Sequence, residues 1–416
     1  MTSAKPPAMR RPVPPAMLRR GGCPFDPPAE LARFDEQAPL TRVELLNGGH
    51  AWVVTGYEQA RAVFADTRFS SDTVRNRSAM DLLPEEVGEP RCPVDLPKRE
   101  DGRFLFMDPP EHTRLRRLLT GQFTVRRVQT LEARIRDIAV EHLEALRTAG
   151  NEGDVVPAFA LPLPSLVICE LLGVDYADRA EFQDHTSVAL NLTKPEDERR
   201  RASEAIHGFM RKLVAHKREH PADDLLSGLI HGDAEPPLTE EELVDIATVL
   251  LGAGHETTAN MLALGTFALL EHPDQLALVR ENPAVLDPGV DELLRYLSII
   301  HIGPSRVATE DITVADVTIP AGDTVLISVP QANRSAEHWP QPERLDLTRP
   351  RTPHLAFGHG VHQCLGQQLA RSELRVGLAE LVTRLPGLRL AIDPADVPLR
   401  TDMLVYGVHS LPVTWS

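Results

Sequence analysis

The chain has 416 residues and a formal charge of −16, with 42% hydrophobic and 5% aromatic residues. An acidic balance argues against general nucleic-acid binding, which needs a basic face, and the aliphatic content can fill a sizeable core with little help from rings. Cys23, Cys92, Cys169 and Cys364 share no short spacing, so neither a disulfide framework nor a zinc site is expected and a reducing cytoplasm fits best.

Residues 1–22 are rich in Pro and Arg and hold no apolar run long enough for a signal peptide or a membrane helix. They read as a disordered arm ahead of one large domain, residues 23–416, which no linker, charge run or repeat divides. Short strands are predicted at 43–46, 51–55 and 324–329, and helical signals dominate the middle. Residues 77–104 carry Pro84, Pro90, Pro93 and Pro97 without a sustained period, as a long loop and candidate lid would. From His112 to Arg136 seven arginines (Arg114, Arg116, Arg117, Arg126, Arg127, Arg134, Arg136) face one acid, Glu132, a +6 island. It is either a solvated helix face or a docking patch for an acidic partner.

The most apolar stretch, 155–174, is interrupted by Pro157, Pro162, Pro164 and Glu170 and is a poor candidate for a membrane span. Lys194-Pro195-Glu196-Asp197 marks a turn between helical segments, a second candidate for substrate access. The clearest helix starts at Thr239, with Glu242 three residues on as a capping box, and can run to Glu271, about 48 Å. Its centre, Gly252 to Thr258, places two glycines, Glu256 and two threonines between apolar stretches. Small residues admit a flat ligand, and a threonine beside a locally widened turn can reach a bound molecule. Glu292 and Arg295, three apart, share a helix face. Residues 357–366, Phe-Gly-His-Gly-Val-His-Gln-Cys-Leu-Gly, hold one cysteine in a turn of glycines. Haem iron needs such a thiolate, donors aimed at sulfur, a small-residue loop and a shielding aromatic; a buried free cysteine is the bland alternative.

The pattern Phe357, Gly360, Cys364, Gly366 resembles the haem-binding signature of the cytochrome P-450 monooxygenases. The resemblance runs over nearly the whole chain. It implies the cytochrome P-450 fold, mainly α with small antiparallel β-sheets, enclosing haem b with Cys364 as axial ligand and Phe357, Gly358, Gly360 and Gly254 against the cofactor. Ala253-Gly254-His255-Glu256-Thr257 resembles the family's oxygen-activating motif, which implies that Thr257 holds dioxygen and Glu256 relays protons. His112, Arg116, Arg306 and His362 would bind the haem propionates, and Glu292, Arg295 and Arg344 would form a buried structural triad. The distal pocket is expected from Leu250, Ala253, Ile299, Ile300, Ile302, Met403 and Leu404. The implied reaction inserts one oxygen atom from dioxygen into a C–H bond or double bond of a lipophilic molecule such as a macrolide, polyene, sterol-like compound or xenobiotic. No flavin or iron–sulfur signature is present, so electrons are expected from a separate ferredoxin and its NAD(P)H-dependent reductase, docked on Arg114, Arg117, Arg126 and Arg127. Two alternatives stand beside this reading. A non-catalytic relative that binds haem and a ligand would not need Glu256 and Thr257, and a hydrolase with Cys364 as nucleophile and His362 as base explains neither those residues nor the propionate set.

Overall fold

The computed structural model describes residues 22–45, 50–72, 102–175, 179–301 and 303–416. Residues 1–21 of the 1–22 arm, nearly all of the candidate lid, Cys92 and Ile302 lie outside the described residues. In chain order the helices are α1 (Ala29–Gln37), α2 (Tyr57–Ala65), α3 (Glu111–Thr120), α4 (Val125–Ala149), α5 (Pro162–Leu172), α6 (Arg179–Leu190) and α7 (Glu196–Glu219). There follow α8 (Leu225–Ile230), α9 (Glu240–Glu271), α10 (Pro273–Glu281), α11 (Leu286–Leu297), α12 (Val329–Ala332) and α13 (Gln367–Arg384).

The long helix α9 forms as its sequence predicts. Thr239 Oγ1 accepts from the Glu242 N–H, and the Glu242 carboxylate accepts from the Thr239 N–H, so two orphan donors are satisfied at the first turn. Every residue from Met261 to Leu269 is buried, the mark of a helix enclosed on all sides; α5, α7 and α13 pack on it, and α13 also lies along α4. The expected widened turn is absent, since α9 is α-helical throughout. The Thr257 hydroxyl returns to the Ala253 carbonyl at 2.8 Å without opening the ladder. The π-helical turn lies instead at Val156–Ala160, where Pro157 lacks an N–H for the ordinary ladder. The stretch that includes α5 is apolar because it is buried, and Pro162 and Pro164 sit in a first turn that needs no N–H partners. No described helix is long and apolar enough to cross a membrane.

The strands are β1 (Leu40–Glu44), β2 (His50–Val54), β3 (Phe69–Ser70), β4 (Glu152–Asp154), β5 (Ser305–Ala308), β6 (Ile312–Val314), β7 (Val317–Ile319), β8 (Thr324–Ile327), β9 (Arg389–Leu390) and β10 (Pro412–Thr414). They form a five-stranded sheet in the order β1-β2-β8-β5-β3, a three-stranded sheet β4-β10-β9 and the hairpin β6-β7. The pairings are antiparallel as expected except that of β2 with β8, which is parallel, with Trp52 opposite Val325 and Val54 opposite Ile327. Parallel strands need a long crossover, and here most of the helical body supplies it.

Candidate active site

Cys364 sits at the end of a loop whose shape the glycines allow. Gly358 (φ 67°) and Gly360 (φ 73°) are left-handed, and a Cβ on Gly360 would lie 2.4 Å from the Phe64 carbonyl oxygen, so the loop is seated directly on α2. The Cys364 N–H donates to the Phe357 carbonyl at 2.9 Å, and the Phe357 ring carries the Arg371 guanidinium 4.6 Å from its centroid. Burial raises the Cys364 thiol above its ordinary range, opposed by the Gly366 N–H and by the charges of Arg116 and Arg371. Those opposing groups favour a thiolate once something binds it.

Cys364 lines a cavity of about 1980 Å³, roughly twice the upper end of ordinary ligand pockets. Phe357, Gly358, Arg116, Arg306 and His362 line the same end. On α3 the i, i+4 spacing brings His112 and Arg116 to one face, and the His112 ring lies 4.1 Å from that of His362. Burial, then neighbouring cationic groups, pushes His112 down to about 4 and His362 to about 3. Among the described residues neither ring nitrogen of His112 has a hydrogen-bond partner. Arg306 is buried, its pKa brought to about 10 by that burial, and it donates to its neighbour Ser305's carbonyl at 2.8 Å while its guanidinium lies over Phe64. Asp108 acts on His112 and Arg306 at a distance but accepts from Ser70 Oγ and the Ser71 N–H, so a buried set of donors with no ion pair among the described residues suits an anionic ligand.

On α9, Leu250, Ala253, Gly254, Thr257 and Thr258 reach the cavity. A Cβ on Gly254 would lie 2.9 Å from Ile168 Cδ1, so this glycine also serves the packing of α9 on α5. Glu256 is buried but does not line the cavity; its Oε2 accepts from Arg400 Nη2 at 2.9 Å and from Asn260 Nδ2 at 3.1 Å. Sequence reasoning missed two residues here. Arg400 comes from the C-terminal segment, and Glu373 on α13 is 2% exposed, shares the cavity wall with Thr258 and is pushed up to about 8 by burial against the Thr258 hydrogen bond. The available signal was a lone acid nine residues after Cys364 among Leu369, Leu374 and Val376.

Three further expectations change. Arg295 grips Glu292 bidentately, at 2.7 and 2.8 Å, but the second arginine on that carboxylate is Arg349, at 3.1 Å; Arg344 has an exposed side chain and offers only its carbonyl to Arg295. Ile299, Ile300 and Leu404 line the cavity as expected, whereas Met403 is buried away from it with its carbonyl accepting from His301 Nε2. Of the arginine island, Arg114 is ion-paired to Glu242, Arg134 to Glu170, and Arg136 to Glu132 and Glu380. Arg114, one of the four arginines expected to dock a partner, thus has its charge answered within the chain, whereas Arg117, Arg126 and Arg127 make no ion pair among the described residues.

Fold and site together put a cysteine in a glycine loop and a threonine of a long buried helix on the wall of one large cavity. A family model described as cytochrome P450 matches residues 177–405. Cytochrome P450 105C1 of a Streptomyces species is 46% identical over 391 residues, covering 94% of this chain and 96% of its own. The crystal structure of CYP105P1 in complex with filipin I has a TM-score of 0.89 at 41% identity, covering 97% of this chain and 99% of that one. That of the mycinamicin VIII C21 methyl hydroxylase MycCI from Micromonospora griseorubida, bound to mycinamicin VIII, has a TM-score of 0.85 at 37% identity, covering 95% and 98%. The chain belongs to the cytochrome P450 family and is a monooxygenase, whose family cofactor is haem iron. The residues fit that group, with a soft sulfur donor, unpartnered imidazole nitrogens and a desolvated guanidinium where carboxylates would lie.

Proposed function

We propose that Cys364 is the axial ligand of haem b, that His112, Arg116, Arg306 and His362 hold its propionates, and that the enzyme hydroxylates or epoxidises a lipophilic small molecule. The observation that carries this reading is that Cys364, Arg116, Arg306 and His362 line one cavity with room for a second, large molecule, with the His112 ring packed against that of His362. When bound, the haem supplies oxygen activation, with thiolate electron density favouring cleavage of the O–O bond. Around it, Leu250, Ala253, Ile299, Ile300 and Leu404 exclude water and orient an apolar substrate. The Thr257 hydroxyl, tied to Ala253, needs only a rotation about χ1 to present its oxygen to the cavity. Glu256 moves protons inward from the side of Arg400, and Glu373, neutral beside Thr258, holds a second proton at the cavity wall.

The folded unit is residues 23–416, working in the cytoplasm with electrons from a ferredoxin and its NAD(P)H-dependent reductase. Arg117, Arg126 and Arg127, free of ion pairs among the described residues, form the docking patch; complementary charge at such a patch speeds encounter. An optical titration of the purified ferric protein with macrolides, polyenes, sterols and small aromatics tests the main reading. A low-spin to high-spin change of the Soret band identifies the ligand class, and a protein without a Soret band is not a haem enzyme. Arg126→Glu with Arg127→Glu should slow ferredoxin-driven turnover at full haem content; an unchanged rate rejects those two residues as the dock.

A further inference from the structure

The cavity's lining is chemically two-sided. Leu250, Ala253, Ile299 and Leu404 are apolar, whereas α7 turns a polar stripe into the same space, Arg199, Ser203, His207 and Arg211, spaced four residues apart. Most of that stripe is satisfied by the protein itself. Arg211 Nη2 donates to Glu241 at 2.7 Å, His207 Nε2 lies 3.1 Å from Asp245 Oδ1 and 3.2 Å from Glu241 Oε1, and Ser203 Oγ donates to the Arg199 carbonyl. Along the same rim Lys194 pairs with Glu198, Arg200 with Glu204, and Arg201 with Asp197.

Arg199 differs from these neighbours. It is half-buried, and among the described residues its side chain makes one hydrogen bond, Nε to the Ala189 carbonyl at 3.3 Å, with no carboxylate in ion-pair range. Among those residues nothing accepts from its two terminal nitrogens. The acid on this rim that also lacks an ion pair, Glu196, is exposed at the start of α7.

We propose that Arg199 receives a carboxylate on the substrate, so that the substrate class is an amphiphilic acid whose apolar body lies along α9 toward Cys364. This rests on reading the cavity as the monooxygenase's substrate chamber. A planar guanidinium fork with two free N–H edges matches a carboxylate bidentately, and a partly desolvated cation without a counter-charge gains most from that partner.

The substrate is unknown, so the test uses a probe that anchors itself. A series of ω-(imidazol-1-yl) alkanoic acids of increasing chain length, with their methyl esters, binds by the imidazole to the haem iron and extends its other end along the cavity. Soret titration of the holoenzyme then gives each affinity. At one or more lengths the acid should bind about tenfold tighter than its ester, the size of a charge-assisted pair. That preference should vanish in Arg199→Gln, with ester affinity and haem content unchanged, and persist in Arg200→Gln, whose cation is already paired. Equal binding of acid and ester at every length overturns the proposal, as does a preference that survives Arg199→Gln. A purified protein with no Soret band at all overturns the haem reading first, which separates the two failures.

Discussion

Arg349 Nε donates to Glu292 Oε1 across 3.1 Å, onto a carboxylate that Arg295 already holds by both oxygens. Arg349 also donates to the carbonyls of Pro340, Gln341 and Arg344, so one side chain ties the segment after Trp339 to α11. Arg349→Ala should therefore cost about 3 kcal/mol by urea unfolding, as a buried carboxylate loses part of its compensation. Arg344→Ala, with its exposed side chain, should stay within about 0.5 kcal/mol. Equal effects would return the triad to Arg344.

Glu373 makes stability depend on pH with a definite sign. Its carboxyl, raised to about 8 in the fold from the ordinary 4.5, keeps its proton where the unfolded chain loses it. Between those values the folded state binds more protons, so stability falls as pH rises from about 4.5 through about 8, by at most about 1.4 kcal/mol per pH unit. Glu373→Gln should flatten this component. Parallel pH profiles of urea unfolding for the two proteins would place the proton elsewhere.

At the Cys364 loop, Gly358→Ala meets no protein atom within 4 Å among the described residues and costs about 1–2 kcal/mol for its left-handed φ. Gly360→Ala pays that and meets the Phe64 carbonyl as well, so about 2–4 kcal/mol and partial loss of haem are expected. Thermal melting and Soret absorbance per chain read both; a milder effect at Gly360 would mean that α2 yields.

Removing Arg400 strands a buried charge. Arg400→Ala should destabilise by about 3–5 kcal/mol, with Glu256 left to Asn260 and the His255 ring 3.8 Å away, and adding Glu256→Gln should recover most of it. A double-mutant cycle measures the coupling, and strictly additive losses would show that the pair carries no interaction.

How far the sequence reached depended on the range of the signal. The capping box of α9 was legible because Thr239 and Glu242 are a turn apart, and the Cys364 loop because ten consecutive residues hold its glycines, its aromatic and its ligand. His112 with Arg116 was readable from helical spacing. The Arg349 contact was not, since Arg344 and Arg349 lie five residues apart in an irregular segment where no period says which side chain turns inward. Glu373 was hidden because a lone acid on a helix is ordinarily solvated, and only the packing of α9 against α13 removes its water. Met403 and Leu404 are adjacent, and the bridge from Asn191 to Met403 decides which one meets the cavity.

The parallel pairing of Trp52 with Val325 also sets a timetable. On a ribosome adding about 5–20 residues per second, β2 leaves the tunnel with its partner strand still roughly 270 residues away. For some tens of seconds the β1–β2 ribbon must wait with one edge bare. The large sheet therefore closes late in synthesis, and a nascent chain stalled before β8 would present that edge to any other strand in reach.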